Sequence, residues 1–268
     1  MSPNLTSTVQ IPASLRSVTY FWVQFRRTWR ADIGTTFLTP VLFLASIGVG
    51  LGGLIGHGEA VPSLGGVDYV SFVAPALLVT TAMQVAIIRA TYEVWGCANP
   101  WSGAYRSMQA SPIAVSQIVT GQLTWIAFRV LMASAFYLAV SAAFGTVHSP
   151  AAAADLIVGP LVGLAFAAPI AAYAITARHD QPFIMIFRLV MIPLFLFSGT
   201  FFPLSQLPIG LQYLAYALPL WHGVELSRGL YAGHLDLPVA LGSVAYLVAA
   251  TTAGTIVARL TYQLRLAK

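Results

Sequence analysis

The side chains that could perform chemistry are few and scattered along the chain. No two of the five histidines have the spacing of metal ligands; they are His57, His148, His179, His222 and His234. Cys97 is the only cysteine, so no intrachain disulfide or thiolate metal site can form, and we interpret it as a small apolar filler. Lys268 is the only lysine, which rules out a G-x-x-x-x-G-K-[ST] phosphate loop. The sequence therefore predicts no catalytic residue, metal or cofactor in this chain, and ATP hydrolysis would need a separate subunit.

The composition is typical of a protein that is embedded in a lipid bilayer. Of the 268 residues, 58% are hydrophobic and 8% are charged, whereas a soluble domain carries about 25% charged residues. The net charge is +5, but no basic patch with the motifs of a nucleic-acid-binding protein accompanies it. The composition excludes a water-soluble fold and gives no support for binding to nucleic acid.

Charged residues divide the chain into apolar segments of about the 20 residues that a helix needs to cross a bilayer. We predict an all-α membrane protein with six spans near 33–55, 69–90, 115–144, 154–177, 183–200 and 238–258. Residues 201–236 are too rich in proline and glycine for a further span. We predict that they form an external re-entrant or surface-lying helical pair. Its candidate functional residues are Phe201, Phe202, Pro203, Pro208, Pro219, His222, Glu225 and Arg228.

The basic residues predict the orientation. With six spans and a cytoplasmic N-terminus, eleven of the thirteen basic residues face the cytoplasm: Arg16, Arg26, Arg27, Arg30, Arg89, Arg106, Arg178, Arg188, Arg259, Arg265 and Lys268. The positive-inside rule favours this arrangement, in which both termini are cytoplasmic. The net positive charge would then face anionic lipid.

Residues 13–31 predict an amphipathic helix that lies in the membrane interface. Leu15, Val18, Trp22, Phe25 and Trp29 recur at helical spacing on one face, and Arg16, Arg26, Arg27 and Arg30 lie on or near the opposite face. Such a helix either anchors the chain passively or couples the first span to a cytoplasmic partner. The sequence leaves both readings open.

The loop at 91–112 is the longest cytoplasmic connection in the predicted topology. It carries a group of aromatic and charged residues that could dock into a groove of a soluble subunit: Glu93, Trp95, Trp101, Tyr105 and Arg106. The alternative is an ordinary loop whose tryptophans lie at the lipid boundary.

Two charges fall close to or inside predicted spans. Arg129 lies within the third span, where a guanidinium must face protein, a carboxylate or a water-filled cavity. The sequence leaves two roles open for Arg129: a position on a substrate path and membership of a structural ion pair. Asp155 begins the fourth span, and we expect it to be a helix N-terminal charge at the outer interface.

Three passages give the chain a resemblance to a known family. They are TFLTPVLFLASIGVGLGGLIG at 36–56, GAYRSMQASPIAVSQIVTGQLTWIAFR at 103–129 and FSGTFFPLSQLPIGLQYLAYALPLWHGVELSRGL at 197–230. The third contains a Ser-Gly, a Phe-Phe-Pro, a Leu-Pro, a Leu-Pro-Leu, a His and an Arg-Gly in order. Together they resemble type-2 ABC exporter permeases, in the branch that is nodulation-protein-J-like and daunorubicin-permease-like. The segment VWGCANPWSGAY lacks the charged R-E-x-G-T run of many drug-type members, which favours the nodulation-J-like side.

The resemblance implies an assembly in the bacterial plasma (inner) membrane. Two permease subunits, identical or related, would form the path, and two copies of an ABC ATPase subunit would dock below and bind ATP and Mg. It also implies six spans, a re-entrant pair before the sixth and an N-terminal interface helix. The loop after the second span would contain the main coupling helix, so that 93–108 would contact the ATPase.

The sequence and the resemblance together predict a permease that exports an amphipathic substrate such as a glycolipid, a lipo-oligosaccharide or a lipophilic drug. An intramembrane lipid-modifying enzyme is an alternative, but it would need convergent polar residues that the spans scarcely supply. An ion-coupled secondary transporter is less favoured, because no acidic residue falls clearly at a midplane.

Overall fold

The computed structural model describes residues 13–46, 68–99 and 103–266. These residues form nine α-helices and no β-strand, which confirms the all-α prediction for the described part of the chain. The helices are α1 (Ala13–Ser46), α2 (Tyr69–Ala98), α3 (Ala104–Gln109), α4 (Val115–Ala143), α5 (Asp155–Ala174), α6 (Gln181–Phe197), α7 (Ile209–Tyr216), α8 (Pro219–Ala232) and α9 (Leu237–Leu266). A 3₁₀ turn, Pro150–Ala154, leads directly into α5.

Four of these helices are long and apolar enough to cross a membrane. They are α2, α4, α5 together with its leading turn, and α9, with 25 to 30 residues each. They coincide with four of the six predicted spans. Helix α6, at the position of the predicted fifth span, has 17 residues and is therefore about 25 Å long, shorter than a hydrocarbon core of about 30 Å. The count of six spans stays a prediction.

Helix α1 is one continuous helix of 34 residues. It contains the predicted interface segment 13–31 and the first part of the predicted span 33–55. Residues 47–55 of that span lie outside the described residues. The side of α1 that carries Phe21 and Phe25 packs against α4, where both rings meet Trp125.

Helix α5 is the centre of the bundle and packs against α2, α4, α8 and α9. Small residues allow these helices to approach closely, as is common between membrane helices. A Cβ atom added to Gly163 of α5 would lie 3.1 Å from both methyl groups of Val130 on α4. The buried side chains form two layers. One lies around Leu78, Val162 and Leu220, and the other around Ile126, Ala168 and Ile175.

Two helices contain a π-helical turn, a feature that often marks functional sites. These turns are Arg89–Glu93 in α2 and Ile186–Met191 in α6. They lie against each other, because Tyr92 of the first stacks on Phe187 of the second with ring centroids 5.8 Å apart. The short helix α6 is thereby attached to α2.

Residues 201–236 form two short helices, α7 and α8, after a 3₁₀ turn at Leu204–Gln206. Pro208 immediately precedes α7, and Pro219 is the first residue of α8. Proline suits the first turn of a helix because its missing N–H would have no helical partner there. The proline-rich segment therefore makes a helical pair instead of one long helix. Its depth in the membrane stays a prediction.

Asp155 is the first residue of α5, as predicted for a helix N-terminal charge. Its side chain is fully buried within the bundle, and its depth in the membrane stays a prediction. Its carboxyl group contacts Ser227 of α8. The sequence alone did not show that α8 would cover this end of α5.

Candidate functional site

A cavity of about 460 Å³ opens between α1, α2, α3 and α4. Its wall is part aromatic and part charged: Tyr20, Phe25, Arg89, Glu93, Trp125 and Arg129. Ala104, the first residue of α3, also reaches it. A wall of this kind can accommodate a molecule that has both an apolar part and a polar part, because the rings bury apolar surface while the charged groups bind polar atoms.

Arg129 lies in the wall of this cavity. Its side chain is 5% exposed, and its guanidinium lies over the ring of Phe25 at 4.4 Å from the centroid. A buried cation over an aromatic face is stabilised by the ring's quadrupole. Arg129 therefore contacts protein and lines a cavity at the same time: α1 provides the ring and the cavity lies beside it.

The π turn of α2 places two charged groups on the same wall. Arg89 donates a hydrogen bond to the carboxylate of Glu93 and forms an ion pair with it one turn along the helix. Both side chains are partly buried. Glu93 was predicted to contact an ATPase, but this carboxylate lines the cavity and is paired within its own chain.

Helix α3 is held to the bundle by polar side-chain contacts at both of its ends, buried at Tyr105 and partly buried at Gln109. The hydroxyl of Tyr105 donates a hydrogen bond to Gln122 Oε1 of α4 at 3.2 Å and lies 3.3 Å from the Tyr262 hydroxyl of α9. Gln109 donates a hydrogen bond to the carbonyl oxygen of Leu266 at 2.8 Å. Burial, and secondarily the proximity of Tyr262, raises the pKa of Tyr105 well above its ordinary value, so the phenol stays neutral. Movement of α3 would therefore be transmitted to α4 and to the end of α9.

The opposite side of α3 faces outward. Arg106 and Ser107 are exposed, whereas Tyr105 is 1% exposed. Arg106 therefore has the accessibility that a docking residue needs. Tyr105 does not, and the structure gives it the different role of attaching α3 to α4 and α9.

The structure describes one of the two tryptophans of the predicted coupling loop. Trp95 is partly buried and lies edge-on to Phe183 of α6, with ring centroids 6.3 Å apart. This contact joins α2 to α6 instead of presenting the indole to solvent. Trp101 lies outside the described residues.

The N-terminal helix has an exposed side that carries both basic and aromatic residues. Its exposed members include Trp22, Arg26, Arg27, Trp29 and Arg30. Arg30 lies over the ring of Trp29 at 5.6 Å. The predicted aromatic face is thus divided: Phe25 packs on α4, Trp22 is half exposed and meets Phe128 of α4 edge-on, and Trp29 is exposed. Phe21, which the spacing analysis did not include, is the buried aromatic residue of this contact.

The residues predicted for the segment 201–236 are distributed over three contacts. Phe201 packs edge-on to Phe195, with centroids 4.9 Å apart. Arg228 lies over the Phe72 ring at 3.8 Å and donates a hydrogen bond to the carbonyl oxygen of Gly199. His222 stacks on Tyr246 and lies 3.1 Å from the hydroxyl of Ser243. The remaining residues do not converge on a common site: Phe202 and Pro203 are partly buried, and Pro208 and Glu225 are exposed.

Several residues of this arrangement were absent from the sequence prediction. Gln122, Tyr262 and Gln109 hold α3, and Phe21 holds α1. A polar glutamine inside an apolar span is a signal that could have identified Gln122. No comparable signal distinguishes Tyr262, which lies 157 residues from its partner Tyr105. The described residues contain no group of three or more His, Cys, Asp or Glu side chains that could hold a metal ion.

The bundle and its sequence define a class of protein. The chain belongs to the ABC-2 type transporter family, to which residues 16–231 match, and it is a transmembrane subunit of an ABC exporter. Members of this family work in general with an ABC ATPase. The match includes α2 to α7 in full and all of α8 except its last residue, and it ends before α9.

The chain is also similar to individual proteins of root-nodule bacteria. Nodulation protein J of Rhizobium leguminosarum bv. trifolii is 33% identical over 214 residues, which cover 80% of this chain and 79% of that protein. Nodulation protein J of Sinorhizobium fredii is 31% identical over 225 residues, covering 81% and 82%. The resemblance to the nodulation-J-like permeases is thereby confirmed, and the protein is an integral membrane protein.

Proposed function

We propose that this chain forms the membrane path of an ATP-driven exporter for an amphipathic substrate, and that α3 receives the movement of a separate ATPase. The observation that carries the proposal is the two-sided nature of α3. One side is bonded to α4 and α9 through Tyr105 and Gln109, and the other exposes Arg106. A helix attached on one side and open on the other suits a docking element.

The position of α3 beside the cavity gives the coupling a physical route. Ala104 lies in the cavity wall, and the next residue, Tyr105, is bonded to α4, which carries Trp125 and Arg129. A displacement of α3 would therefore change the shape of the cavity. Coupling of this kind has energetic meaning only if the ATPase and the substrate each favour one arrangement of the same helices. Helix α3 is the element that both would bias.

The character of the cavity supports an amphipathic substrate. Aromatic rings from α1 and α4 would bury an apolar part, and the charged side chains Arg89, Glu93 and Arg129 would face a polar head group. On this proposal Arg129 lines the substrate path. A glycolipid, a lipo-oligosaccharide and a lipophilic drug all have this combination of parts.

The proposed assembly contains two permease subunits, identical or related, and two ATPase subunits that bind ATP and Mg. It lies in the bacterial inner membrane, with six spans per permease and both termini in the cytoplasm. Arg26, Arg27 and Arg30 then lie on the cytoplasmic side, where they suit anionic lipid. Helix α1 would act as a second coupling element, because it contacts α4 along the cavity. Helices α7 and α8 form the proposed re-entrant pair at the external side.

The experiment is a charge reversal on the exposed side of α3. Arg106→Glu changes an exposed residue and leaves the buried contacts of Tyr105 and Gln109 in place. We expect the variant to insert into the membrane at the wild-type level and to lose most co-purification of its ABC ATPase partner. Deleting 93–108 would be less informative, because it would also remove the buried anchor Tyr105.

The matched control is Arg178→Glu, an exposed arginine in the connection between α5 and α6. It makes the same charge change on the same predicted side of the membrane. Equal ATPase recovery from Arg106→Glu and the wild type would contradict docking at α3. Equal losses in Arg106→Glu and Arg178→Glu would indicate a general effect of charge instead of a specific contact.

A further inference from the structure

The end of the bundle opposite α3 contains a carboxyl group that the proposed transport mechanism does not use. Asp155 is fully buried where α5 meets α2, α4 and α8. The hydroxyl of Ser227 on α8 lies 2.8 Å from Asp155 Oδ2, and among the residues that the structure describes Asp155 Oδ1 has no hydrogen-bond partner. A fully buried polar atom without a partner calls for an explanation, since most such atoms are satisfied.

The hydroxyl of Ser227 faces two acceptors. It lies 2.8 Å from Asp155 Oδ2 and also 3.1 Å from the carbonyl oxygen of Pro75 on α2. A serine hydroxyl has one hydrogen, so it cannot donate fully to both oxygen atoms. If Asp155 carries a proton, its O–H donates to Ser227 Oγ, and the hydroxyl of Ser227 is free to donate to Pro75. Both short distances are then hydrogen bonds.

The electrostatic environment also favours a protonated Asp155. Within the described residues, Asp155 has no salt-bridge partner, and burying an unpaired carboxylate is costly. The titratable groups that face it are phenols: Tyr231 of α8, with Tyr137 of α4 behind it. Arg228, next to Ser227, is directed away toward Gly199 and Phe72.

Three carboxylates lie at this end of the neighbouring elements: Asp68 before α2, whose side chain accepts the N–H of Ser71, and Glu225 of α8 and Asp236 before α9, which are exposed. None of them is basic, so none could pair with a charged Asp155. On α2, Arg89 lies 14 residues beyond Pro75, or about 21 Å along the helix. On α9 the first charged residue is Arg259, whose guanidinium reaches Thr120 near the start of α4, at the other end of the bundle. The 3₁₀ turn Pro150–Ala154 is uncharged and continues directly into α5.

The start of α5 is also not a free helix terminus that would hold an anion. A carboxylate at such a terminus accepts backbone N–H groups. Asp155 instead donates its own N–H to the carbonyl oxygens of Ala152 and Ala153, and in the described structure its side chain has only Ser227 as a hydrogen-bond partner.

We infer that Asp155 is a proton-binding site, and that the bound proton completes a hydrogen-bond chain from Asp155 through Ser227 to Pro75 that holds α8 against α5 and α2. After loss of the proton to water, the Ser227 hydroxyl would donate its hydrogen bond to the Asp155 carboxylate instead of to the carbonyl oxygen of Pro75, and a negative charge would be buried. The seating of α8 would then weaken as the pH rises. This inference goes beyond the proposed function and does not depend on it.

The test uses the purified full-length permease in lipid nanodiscs. Infrared difference spectra of wild type minus Asp155→Asn should contain the carbonyl stretch of a protonated carboxylic acid at pH 7, and the band should disappear at alkaline pH. Asp180→Asn is the matched control, because Asp180 is exposed and its side chain makes no capping hydrogen bond. Its difference spectrum should contain carboxylate bands only. A wild-type spectrum with no protonated-acid band assigned to Asp155 at pH 7 would overturn the inference.

Thermal unfolding provides the second measurement. Asp155→Asn imitates the neutral acid, since its amide can donate to Ser227, so its midpoint should equal that of the wild type at pH 7 and exceed it at pH 9. Asp155→Ala removes the donor and should lower the midpoint by about 5 °C. If Asp155→Asn and Asp155→Ala lower the unfolding midpoint equally, the inference is wrong. The site would then require the carboxylate charge, for example to bind a cation. Proton binding would also be refuted by a midpoint difference between wild type and Asp155→Asn that does not change with pH.

Discussion

At the scale of single residues, Arg129 shows how a charge and an apolar bundle can coexist. Its guanidinium lies over Phe25 and beside a cavity, so it is covered by α1 on one side and reaches polar space on the other. The sequence predicted that such cover must exist, because an exposed charge at that depth of a span would be costly. It did not reveal that the cover would be an aromatic ring of the N-terminal helix.

Tyr105→Phe tests the buried contact that attaches α3 to the bundle. The substitution removes the hydroxyl that donates to Gln122 Oε1 and leaves a buried amide oxygen without that donor. We expect the free energy of unfolding to fall by about 1–3 kcal/mol. The measurement is unfolding of the purified protein in mixed micelles, followed by tryptophan fluorescence.

The control for this prediction is Tyr213→Phe, which removes the same group from a side chain that is 68% exposed. It should change the free energy of unfolding by no more than about 0.5 kcal/mol. A Tyr105→Phe protein as stable as the control would show that the buried hydroxyl contributes no net stability.

At the scale of helices, close approach depends on residues without side chains. Helix α9 crosses α5 at Gly254, where an added Cβ atom would lie 2.7 Å from Pro169 Cδ and 3.0 Å from Ala168 Cβ. The same helix has Gly242, where an added Cβ atom would meet no heavy atom of the described residues within 4 Å. One helix thus contains both a contact glycine and a free glycine.

These two glycines give a matched pair of substitutions. Gly254→Ala should separate α9 from α5 and lower the free energy of unfolding by about 1–3 kcal/mol. Gly242→Ala should be neutral or stabilising by up to about 1 kcal/mol, because alanine favours a helix more than glycine does. Titration of both variants with a denaturing detergent measures the difference. Equal effects would mean that α9 does not cross α5 at Gly254.

The position of the helices was more predictable than their packing. Four of the six predicted spans correspond to long apolar helices, since length and hydropathy are local properties of the chain. The sides of α4 and α5 that face each other were not predictable, because apolar residues are spread around both helices and form no distinct stripe. For the same reason the burial of Asp155 by α8 came only from the structure.

At the scale of the whole molecule, the short helix α6 decides how the chain crosses the membrane. If α6 spans, the connections at 178–180 and 233–236 lie on opposite sides, as six spans require. If α6 enters and returns, both connections lie on the same side. His179 and His234 are exposed and lie in the first and second of these connections. A label at each position therefore shows on which side of the membrane its connection lies.

Labelling with a membrane-impermeant maleimide distinguishes the two topologies. In a Cys97→Ser background, which has no other cysteine, His234→Cys should react on intact right-side-out vesicles. His179→Cys should react only after permeabilisation, because six spans place it in the cytoplasm. Reaction of both residues from the same side would show that α6 does not cross.

The amino-acid sequence alone was enough to predict that this protein lies in a membrane, where four of its long helices are, and that it is related to ABC exporter permeases. Those properties depend on composition, run length and local motifs, which the linear chain contains directly. Only the tertiary structure showed that Tyr105 of the predicted docking loop is buried against Tyr262, and that Asp155 lies beneath α8. These contacts join residues 157 and 72 positions apart. They depend on which sides of nearly uniform apolar helices meet, and hydropathy alone does not specify that.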